Sequence, residues 1–410
     1  MDFKDTPEEA TFRADVKEWL GKNAEPKQGV GGFTRRYDNG EDEIQRSKDW
    51  QAKKADAGFA AITWPKEYGG LGGTSIQSVI YGQEESKFDV PANIFAIGLG
   101  MCIPTVLKHG SEANKERYVK PGLRGEEVWC QLFSEPAGGS DVAALRTRAE
   151  RKGDKWIVNG QKVWTSGAQY CDYGLLIART DPDVPKHKGI TAFIVDMHHP
   201  GVEVRPIKQA SGQAGFNEVF FTDVEINDDH RLDEVGNGWK VSLTTLMNER
   251  LSIGGGSGGV EIADLIELAR GIELEDGSAI QDGGVREKIA DWYVQGTGLT
   301  YTRFRALTAL SKGGIPGPEN SIGKVVGAKR MQDMAALALD LLDMGGGAVG
   351  GDDAEAIKRF QDIYIGSPGL RIAGGTDEIL RNIIAERVLG LPQDIRVDKA
   401  VAFKDVPRGK

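Results

Sequence analysis

The side chains able to do chemistry in this sequence fall in four short stretches. Glu249 and Arg250 adjoin in "LMNERLSIGGGSGG". By itself such a pair reads as a solvated ion pair on a helix face, which contributes little. Under an apolar ligand the same carboxylate would be desolvated, its pKa would rise, and it could serve as a general base. Ser134 and Ser140 bracket the glycine-rich run "SEPAGGSD", by composition a turn. Trp164, Thr165 and Ser166 follow one another in "VWTSG", where a strand tryptophan ordinarily belongs to the core. Asp377 and Glu378 come after Gly374, Gly375 and Thr376 and open a helix, a usual place for acidic residues.

Several other chemistries are excluded. Cys102, Cys130 and Cys171 show no C-x-x-C spacing and read as buried free thiols. His198 and His199 are adjacent, so on a strand they would point to opposite faces, and no metal site is expected. "GGGSGG" lacks the Gly-Lys-Ser/Thr of a phosphate-binding P-loop. A net charge of −10 without a long basic run argues against a nucleic-acid partner. No apolar run approaches the roughly 18 residues of a membrane helix. The stretch "MDFKDTPEEA" has neither the basic nor the apolar region of a signal peptide, so a soluble, cytoplasmic chain without membrane insertion is expected.

The elements that must position these residues are legible in outline. The 410 residues, 40% hydrophobic and 27% charged, suffice for two or three packed cores. Thr6-Pro7-Glu8-Glu9 predicts a capping box, with Phe12, Val16, Trp19 and Leu20 on the buried face of the helix that follows. After the charged, glycine-rich insert "KQGVGGFTRRYDNGEDE", helix-compatible segments punctuated by "GFAAITWPKEYGGLGG" continue to about Gly122. From about Glu126 the period becomes that of strands. "KWIVNGQKVWTSG" reads as two short strands around an Asn159-Gly160 hairpin turn, followed by "YGLLIART", "ITAFIVDM", "VEVRPIK" and "EVFFTDVEI". Beyond "DEVGNGWK" helical periodicity returns, with Met331, Met334, Ala338, Leu341 and Leu342 on one stripe. No internal repeat is present. The expected class is α+β: an N-terminal α-helical domain (1–125), a middle β domain (126–233) and a C-terminal α-helical domain (234–410).

Three blocks, "CQLFSEPAGGSDVAALRTRAE", "VNGQKVWTSGAQYCDYGLLIART" and "AGGTDEILRNIIAERVLG", resemble the acyl-CoA dehydrogenases in order and spacing. "WPKEYGGLGG" and the small-residue helix after "NERL" extend the resemblance over nearly the whole chain. It implies an N-terminal helical domain, a middle β-barrel domain and a C-terminal helical bundle, with FAD as cofactor. The positions implied to contact FAD are Leu132, Ser134, Ser140, Trp164, Thr165, Ser166, Thr376 and Glu378. Ser134, where the family usually has Thr, keeps the hydroxyl that meets the flavin ring. Trp164 matches the tryptophan beside the isoalloxazine, and Ser166 the hydroxyl residue near flavin N5. Ser140 is also implied to meet the pantetheine arm of CoA.

The implied reaction is α,β-dehydrogenation of an acyl-CoA thioester to the trans-2-enoyl-CoA, which needs a carboxylate to take the α-proton. In many members that carboxylate precedes the Gly-Thr pair, where this chain has Gly374. A minority, including isovaleryl- and long-chain-type enzymes, carry it on a helix immediately before an arginine. Glu249 and Arg250 match that pair, so Glu249 is the implied base and Arg250 supports the substrate site. Gly374 retains the backbone N–H that would hold the thioester carbonyl. The five glycines within Gly254 to Gly259 imply either close helix packing or room for a bulky acyl chain.

The family's Arg-x-x-Phe-Gly motif and its glutamine near a Gly-Gly-x-Gly turn have no clear counterpart, leaving the adenosine end of FAD without assigned residues. The implied partners are an acyl-CoA substrate, an electron-transferring flavoprotein as acceptor, and further copies of the chain in a homo-tetramer or homo-dimer. A mixed-subunit assembly is the alternative to the last of these. Oxidase or flavin monooxygenase chemistry on the same fold is the alternative reaction.

Overall fold

In chain order the elements are α1 (Pro7–Asn23), β1 (Glu25–Pro26), α2 (Glu41–Asp56), α3 (Ser75–Glu85), β2 (Phe88–Asp89), α4 (Ile103–His109) and α5 (Glu112–Arg124). Then follow β3 (Trp129–Leu132), β4 (Arg148–Lys152), β5 (Lys155–Ser166), β6 (Tyr173–Arg179), β7 (Ile190–Asp196), β8 (Val202–Ile207), β9 (Phe216–Asn227) and β10 (Arg231–Leu232). The rest comprises α6 (Gly238–Ile253), α7 (Ile262–Gly271), β11 (Glu273–Leu274), β12 (Gly277–Ser278), α8 (Gly283–Ser311), α9 (Asn320–Leu341), α10 (Ala354–Leu370) and α11 (Asp377–Arg387). This computed structural model describes residues 5–27, 40–253, 261–312, 317–349 and 354–406, and only the backbone of 249–253, 310–311 and 354–356.

The chain forms two compact units. One gathers α1, β1, β2 and α7–α11; the other holds α2–α5, the sheet β3–β10, α6 and the segment 393–406. In the first unit α1 starts as its sequence requires. Thr6 Oγ1 accepts the Glu9 N–H at 3.2 Å and the Glu9 carboxylate accepts the Thr6 N–H at 2.8 Å, satisfying two orphan donors of the helix end. Phe12, Val16 and Leu20 are buried and Trp19 is half-buried. The helices α7–α10 share a core that includes Leu265, Trp292, Met334, Ala338 and Ile363, with Met331 and Leu341 packed against it, so the expected α9 stripe faces inward except at Leu342, which lies just past the helix end.

In the second unit the sheet runs β10-β7-β6-β4-β5-β9-β8, with β3 added parallel to β6. Because strand side chains alternate between faces, β6 and β7 feed two separate cores. Leu175, Ile177, Ile190, Ala192 and Ile194 pack with Cys102, Ile103, Val106 and Leu123 from the α4–α5 region and Val241 of α6. Leu176, Ala178, Phe193 and Val195 pack with Trp156, Val158, Val219 and Phe221. The three cysteines are buried in these cores as free thiols.

The Asn159-Gly160 hairpin is corrected by this topology. β5 is one continuous twelve-residue strand. The true hairpin turn lies earlier, at Gly153-Asp154 between paired Lys152 and Lys155, with Gly153 at φ +65°. Asn159 instead faces a bulge in β9: Val158 pairs with Val224 and Gly160 with Phe221, so β9 carries the extra residue there. The Asn159 amide donates to Asp223 Oδ1 and its Oδ1 accepts the Asp223 N–H, each at 3.0 Å. Gly160 is required for space, since a Cβ there would lie 2.6 Å from Thr147 Cα. Gly160→Ala should therefore cost about 1–3 kcal/mol by overpacking, read as a lower Tm. An unchanged Tm would contradict the continuous strand.

Candidate active site

The far end of β5 carries a second bulge. Lys162 pairs with Val219 and Thr165 with Asn217, leaving Val163 and Trp164 opposite one residue of β9. Bulges of this kind re-aim side chains. Trp164 adopts φ +60° and is 58% exposed, its ring meeting Phe216 edge-on at 6.1 Å. A bulky residue in the left-handed region costs on the order of 1–3 kcal/mol and persists only where its surroundings impose it. Beside it, Thr165 is buried with no partner for Oγ1, and Asn217 leaves Oδ1 unpartnered while its amide donates to Thr165 O at 3.0 Å and Gln169 Oε1 at 2.5 Å. Ser166 closes the strand, half-buried.

A buried ion pair ties the serine loop to this bulge. Lys162, fully buried, donates from Nζ to Glu135 Oε1 at 2.8 Å and to Phe133 O at 3.1 Å. Glu135 also accepts the N–H groups of Arg146 at 2.6 Å and Thr147 at 2.9 Å. Burial alone would raise the Glu135 pKa, but the Lys162 charge and these N–H donors together hold it below the usual carboxylate range. Desolvation pushes Lys162 below the usual lysine value against the pull of Glu135. Between these partners Ser134 O accepts the Val163 N–H at 2.9 Å.

The Glu135–Gly138 turn then folds the loop back, so that a Cβ on Gly139 would stand 3.4 Å from Ser134 Oγ. Ser134 is half-buried, Ser140 exposed and Leu132 fully buried at the end of β3. The structure thus brings Leu132 and Ser134, at and just beyond the end of β3, beside Trp164, Thr165 and Ser166 at the end of β5, with Ser140 on the loop that continues from Ser134. An exposed indole, a close glycine backbone and two orphaned oxygens suit a flat heteroaromatic group with polar edges, as an isoalloxazine is.

Glu249 and Arg250 lie in the last turns of α6; their side chains, and residues 254–260, lie outside the described residues. The earlier part of α6 is latched to α4. Thr105 and Thr245 share a buried hydroxyl bond at 2.9 Å, and His109 Nε2 lies 2.9 Å from Thr244 Oγ1 while Nδ1 lies 2.9 Å from Asp233 Oδ2. Burial, against the opposing pull of Asp233, keeps His109 below its ordinary pKa of 6.5.

Gly374, Thr376 and Glu378 belong to the other compact unit. Gly374 and Gly375 have φ of +66° and +91°, a turn suited to residues lacking Cβ. Lys324 Nζ donates to the carbonyls of Ala373 and Gly375 on either side of Gly374. Thr376 caps α11, its Oγ1 accepting the Ile379 N–H at 3.2 Å, and Glu378 is exposed in the first turn. Asp377 is buried against Arg371 at 2.7 Å with Oδ1 unpartnered. Thr376, Asp377 and Glu378 line an open depression together with Gln332, Arg371 and Ile372.

Sequence reasoning passed over Glu135, Lys162, Asn217 and Lys324. For Lys162 a signal existed: Trp156, Val158 and Lys162 share the inward phase of β5, so the pattern aims a lysine into the core. Among the described residues no group of three or more His, Cys, Asp or Glu is placed to hold a metal, and no helix is long and apolar enough to cross a membrane.

Comparison with known proteins accounts for most of the chain. Residues 6–126 match the acyl-CoA dehydrogenase N-terminal domain, 130–224 the middle domain and 236–389 the C-terminal domain. Acyl-CoA dehydrogenase IpdE1 of Mycobacterium tuberculosis is 34% identical over 394 residues, 94% of this chain and 98% of that protein. Acyl-CoA dehydrogenase FadE34 of the same organism is 39% identical over 350 residues, 84% of this chain. That match covers 46% of FadE34, so the chain spans about half the length of this relative. A solved structure described as "Tcur3481-Tcur3483 steroid ACAD" shares the fold, with TM-score 0.76 and 24% identity over 96% of this chain and 100% of that one.

Two outcomes test the geometry. Lys162→Met leaves Glu135 buried without its counter-charge and should cost about 3–5 kcal/mol in denaturant unfolding, with Lys162→Met/Glu135→Gln recovering much of the loss. Equal losses in single and double variants would deny the coupling. His109 binds its proton more weakly folded than unfolded, so the unfolded chain holds more protons below pH 6.5. Stability should therefore decline as pH falls through 6.5 towards the folded-state pKa, and His109→Gln should flatten that part of the Tm profile. An identical profile in the variant would refute the assignment.

Proposed function

The chain belongs to the acyl-CoA dehydrogenase family and is an oxidoreductase of that kind, and from this premise we propose that it converts an acyl-CoA thioester to the trans-2-enoyl-CoA with bound FAD. The observation that carries the reading is Trp164, strained at φ +60° and exposed beside two orphaned buried oxygens. Such strain and such unsatisfied atoms are retained where a ligand uses them. FAD, when bound, would supply the hydride acceptor for the β-hydrogen at N5.

The remaining work falls to the chain's own residues. Ser134, Trp164, Thr165 and Ser166 hold and orient the isoalloxazine, with Leu132 backing them from the end of β3, and Ser140 meets both the cofactor and the pantetheine arm. Thr376, whose oxygen already caps α11, has its hydroxyl hydrogen left to donate towards the cofactor, and Glu378 lies in the first turn of the same helix. Glu249 takes the α-proton. An acyl chain closing over that carboxylate desolvates it and brings its pKa towards that of the activated substrate. As the proton leaves, negative charge grows on the thioester oxygen, and the Gly374 N–H stabilises it. Arg250 supports the substrate side.

The segments 1–125, 126–233 and 234–410 divide this labour in the proposal, which extends to a cytoplasmic homo-tetramer or homo-dimer passing electrons to an electron-transferring flavoprotein. Anaerobic mixing with straight, branched and ring-bearing acyl-CoAs should bleach the flavin for at least one of them, with slow reoxidation in air. A flavin that no acyl-CoA bleaches would overturn the reading. Glu249→Gln should keep FAD and acyl-CoA binding yet lose about 100- to 10,000-fold in kcat. Unchanged turnover would place the base elsewhere.

A further inference from the structure

The segment after α11 returns to the sheet and fastens onto the β6–β7 connection. The Phe403 N–H donates to Val184 O at 2.9 Å and the Lys404 N–H to Pro182 O at 3.0 Å, while Ala402 bridges Pro185 and Lys404 Nζ pairs with Asp183 at 2.8 Å. The same connection carries Lys186, which is only 6% exposed. Its ammonium binds Asp141 Oδ1 at 2.9 Å and Oδ2 at 2.7 Å from one side and Asp398 Oδ2 from the other. Burial works against that charge, but the hydrogen bonds it donates to Asp141 and Asp398, with their negative charges, outweigh burial and hold the Lys186 pKa above the usual lysine value.

A second tie runs through Arg179 at the end of β6. Its guanidinium donates to Lys186 O at 2.6 Å, Ala143 O at 2.5 Å and Leu145 O at 3.3 Å, and the Phe403 ring covers its face at 3.8 Å. Asp141 directly follows Ser140, and Ala143 and Leu145 continue the same loop. The segment therefore reaches the glycine-rich loop by two routes, one ionic and one through a cation–π contact. The Glu135–Lys162 pair holds the loop separately, at Glu135 itself and through the N–H groups of Arg146 and Thr147.

We propose that residues 397–405 are a positioning element of the acyl-CoA site, with Asp398 acting through Lys186 on Asp141 to hold Ser140, and Phe403 acting through Arg179 on residues 143–145. The inference rests on the reading that the Ser140 loop meets the CoA arm. Asp398 and Phe403 touch neither substrate nor cofactor in this account. Asp141 is half-exposed, so with Asp398 gone Lys186 keeps one solvent-weakened partner, and the loop loses a fixed geometry without losing its fold.

The test compares Asp398→Asn, Asp398→Glu and Phe403→Ala with the unaltered FAD-loaded protein. One readout is steady-state turnover of an acyl-CoA, and the other is amide hydrogen exchange of residues 138–145 without substrate. Asp398→Asn should raise KM about tenfold, the scale of one charge-assisted hydrogen bond, change kcat less than about twofold, and speed exchange in the loop. Asp398→Glu should restore both, and Phe403→Ala should speed exchange chiefly at residues 143–145. An unchanged KM and exchange in Asp398→Asn, or a lower Tm alone, would overturn the proposal and leave the segment a fastening. An unaltered protein inert towards every acyl-CoA would sink the dehydrogenase reading, and exchange would then decide the loop coupling separately.

Discussion

One ion pair sets the terms for the β-domain side of the site. Lys162 and Glu135 hold opposite charges in the interior, and the cost of desolvating both is offset only with further hydrogen bonds to each. Here those bonds come from backbone: Phe133 O for the lysine, and the N–H groups of Arg146 and Thr147 for the carboxylate. The pair can therefore exist only if β3, the start of β4 and the bulged part of β5 keep one relative arrangement. Ser134 and Trp164 adjoin its partners, so the residues proposed to face the ligand inherit that arrangement. Such a pair adds little net stability against an apolar replacement, and its use here is to specify geometry.

The two bulges of the β5–β9 ladder show what that specification achieves. At Asn159 and Asp223 the irregularity is self-sufficient: side chain and backbone bond reciprocally, and both residues sit at the wet face. At Val163–Trp164 the same kind of irregularity is left incomplete. The tryptophan stands out into solvent in a backbone conformation its type avoids, and Thr165 Oγ1 and Asn217 Oδ1 are buried without partners. Buried polar groups left without partners call for an explanation, and a bound ligand, as proposed above, supplies one here. The contrast within one strand pair makes that reading specific.

Legibility from sequence followed the range of the interactions. The Thr6–Glu9 capping box, the alternation of β6 and β7 and the α9 stripe depend on near neighbours, and each appears where the sequence puts it. Asn159-Gly160 misled because its turn chemistry is local while its actual neighbours, Thr147 and Asp223, come from other strands. The motif residues at the ends of β3 and β5 were singled out by resemblance, and composition alone would have sent Trp164 to the core. What supports them, Glu135, Lys162 and the Lys186–Arg179 ties, joins positions remote in sequence, which no local pattern reports. The proposed base is a different case, since the side chains of Glu249 and Arg250 lie outside the described residues.

Gly374 is best understood through what its turn demands. Two consecutive residues with positive φ exclude side chains at little strain only if both are glycine, and Lys324 grips the carbonyls on either side. That grip acts on the backbone, so the shape of the turn and the availability of the Gly374 N–H owe nothing to a side chain at this position. A carboxylate mounted there would have to accept a left-handed conformation costing about 1–2 kcal/mol, and a carboxylate on a regular helix carries no such cost. Separating the N–H from the base, as the proposed roles of Gly374 and Glu249 do, lets the turn be shaped for the thioester oxygen alone. Under those proposed roles the turn needs no side chain at Gly374, and the carboxylate would stand on a helix where an acyl chain can desolvate it.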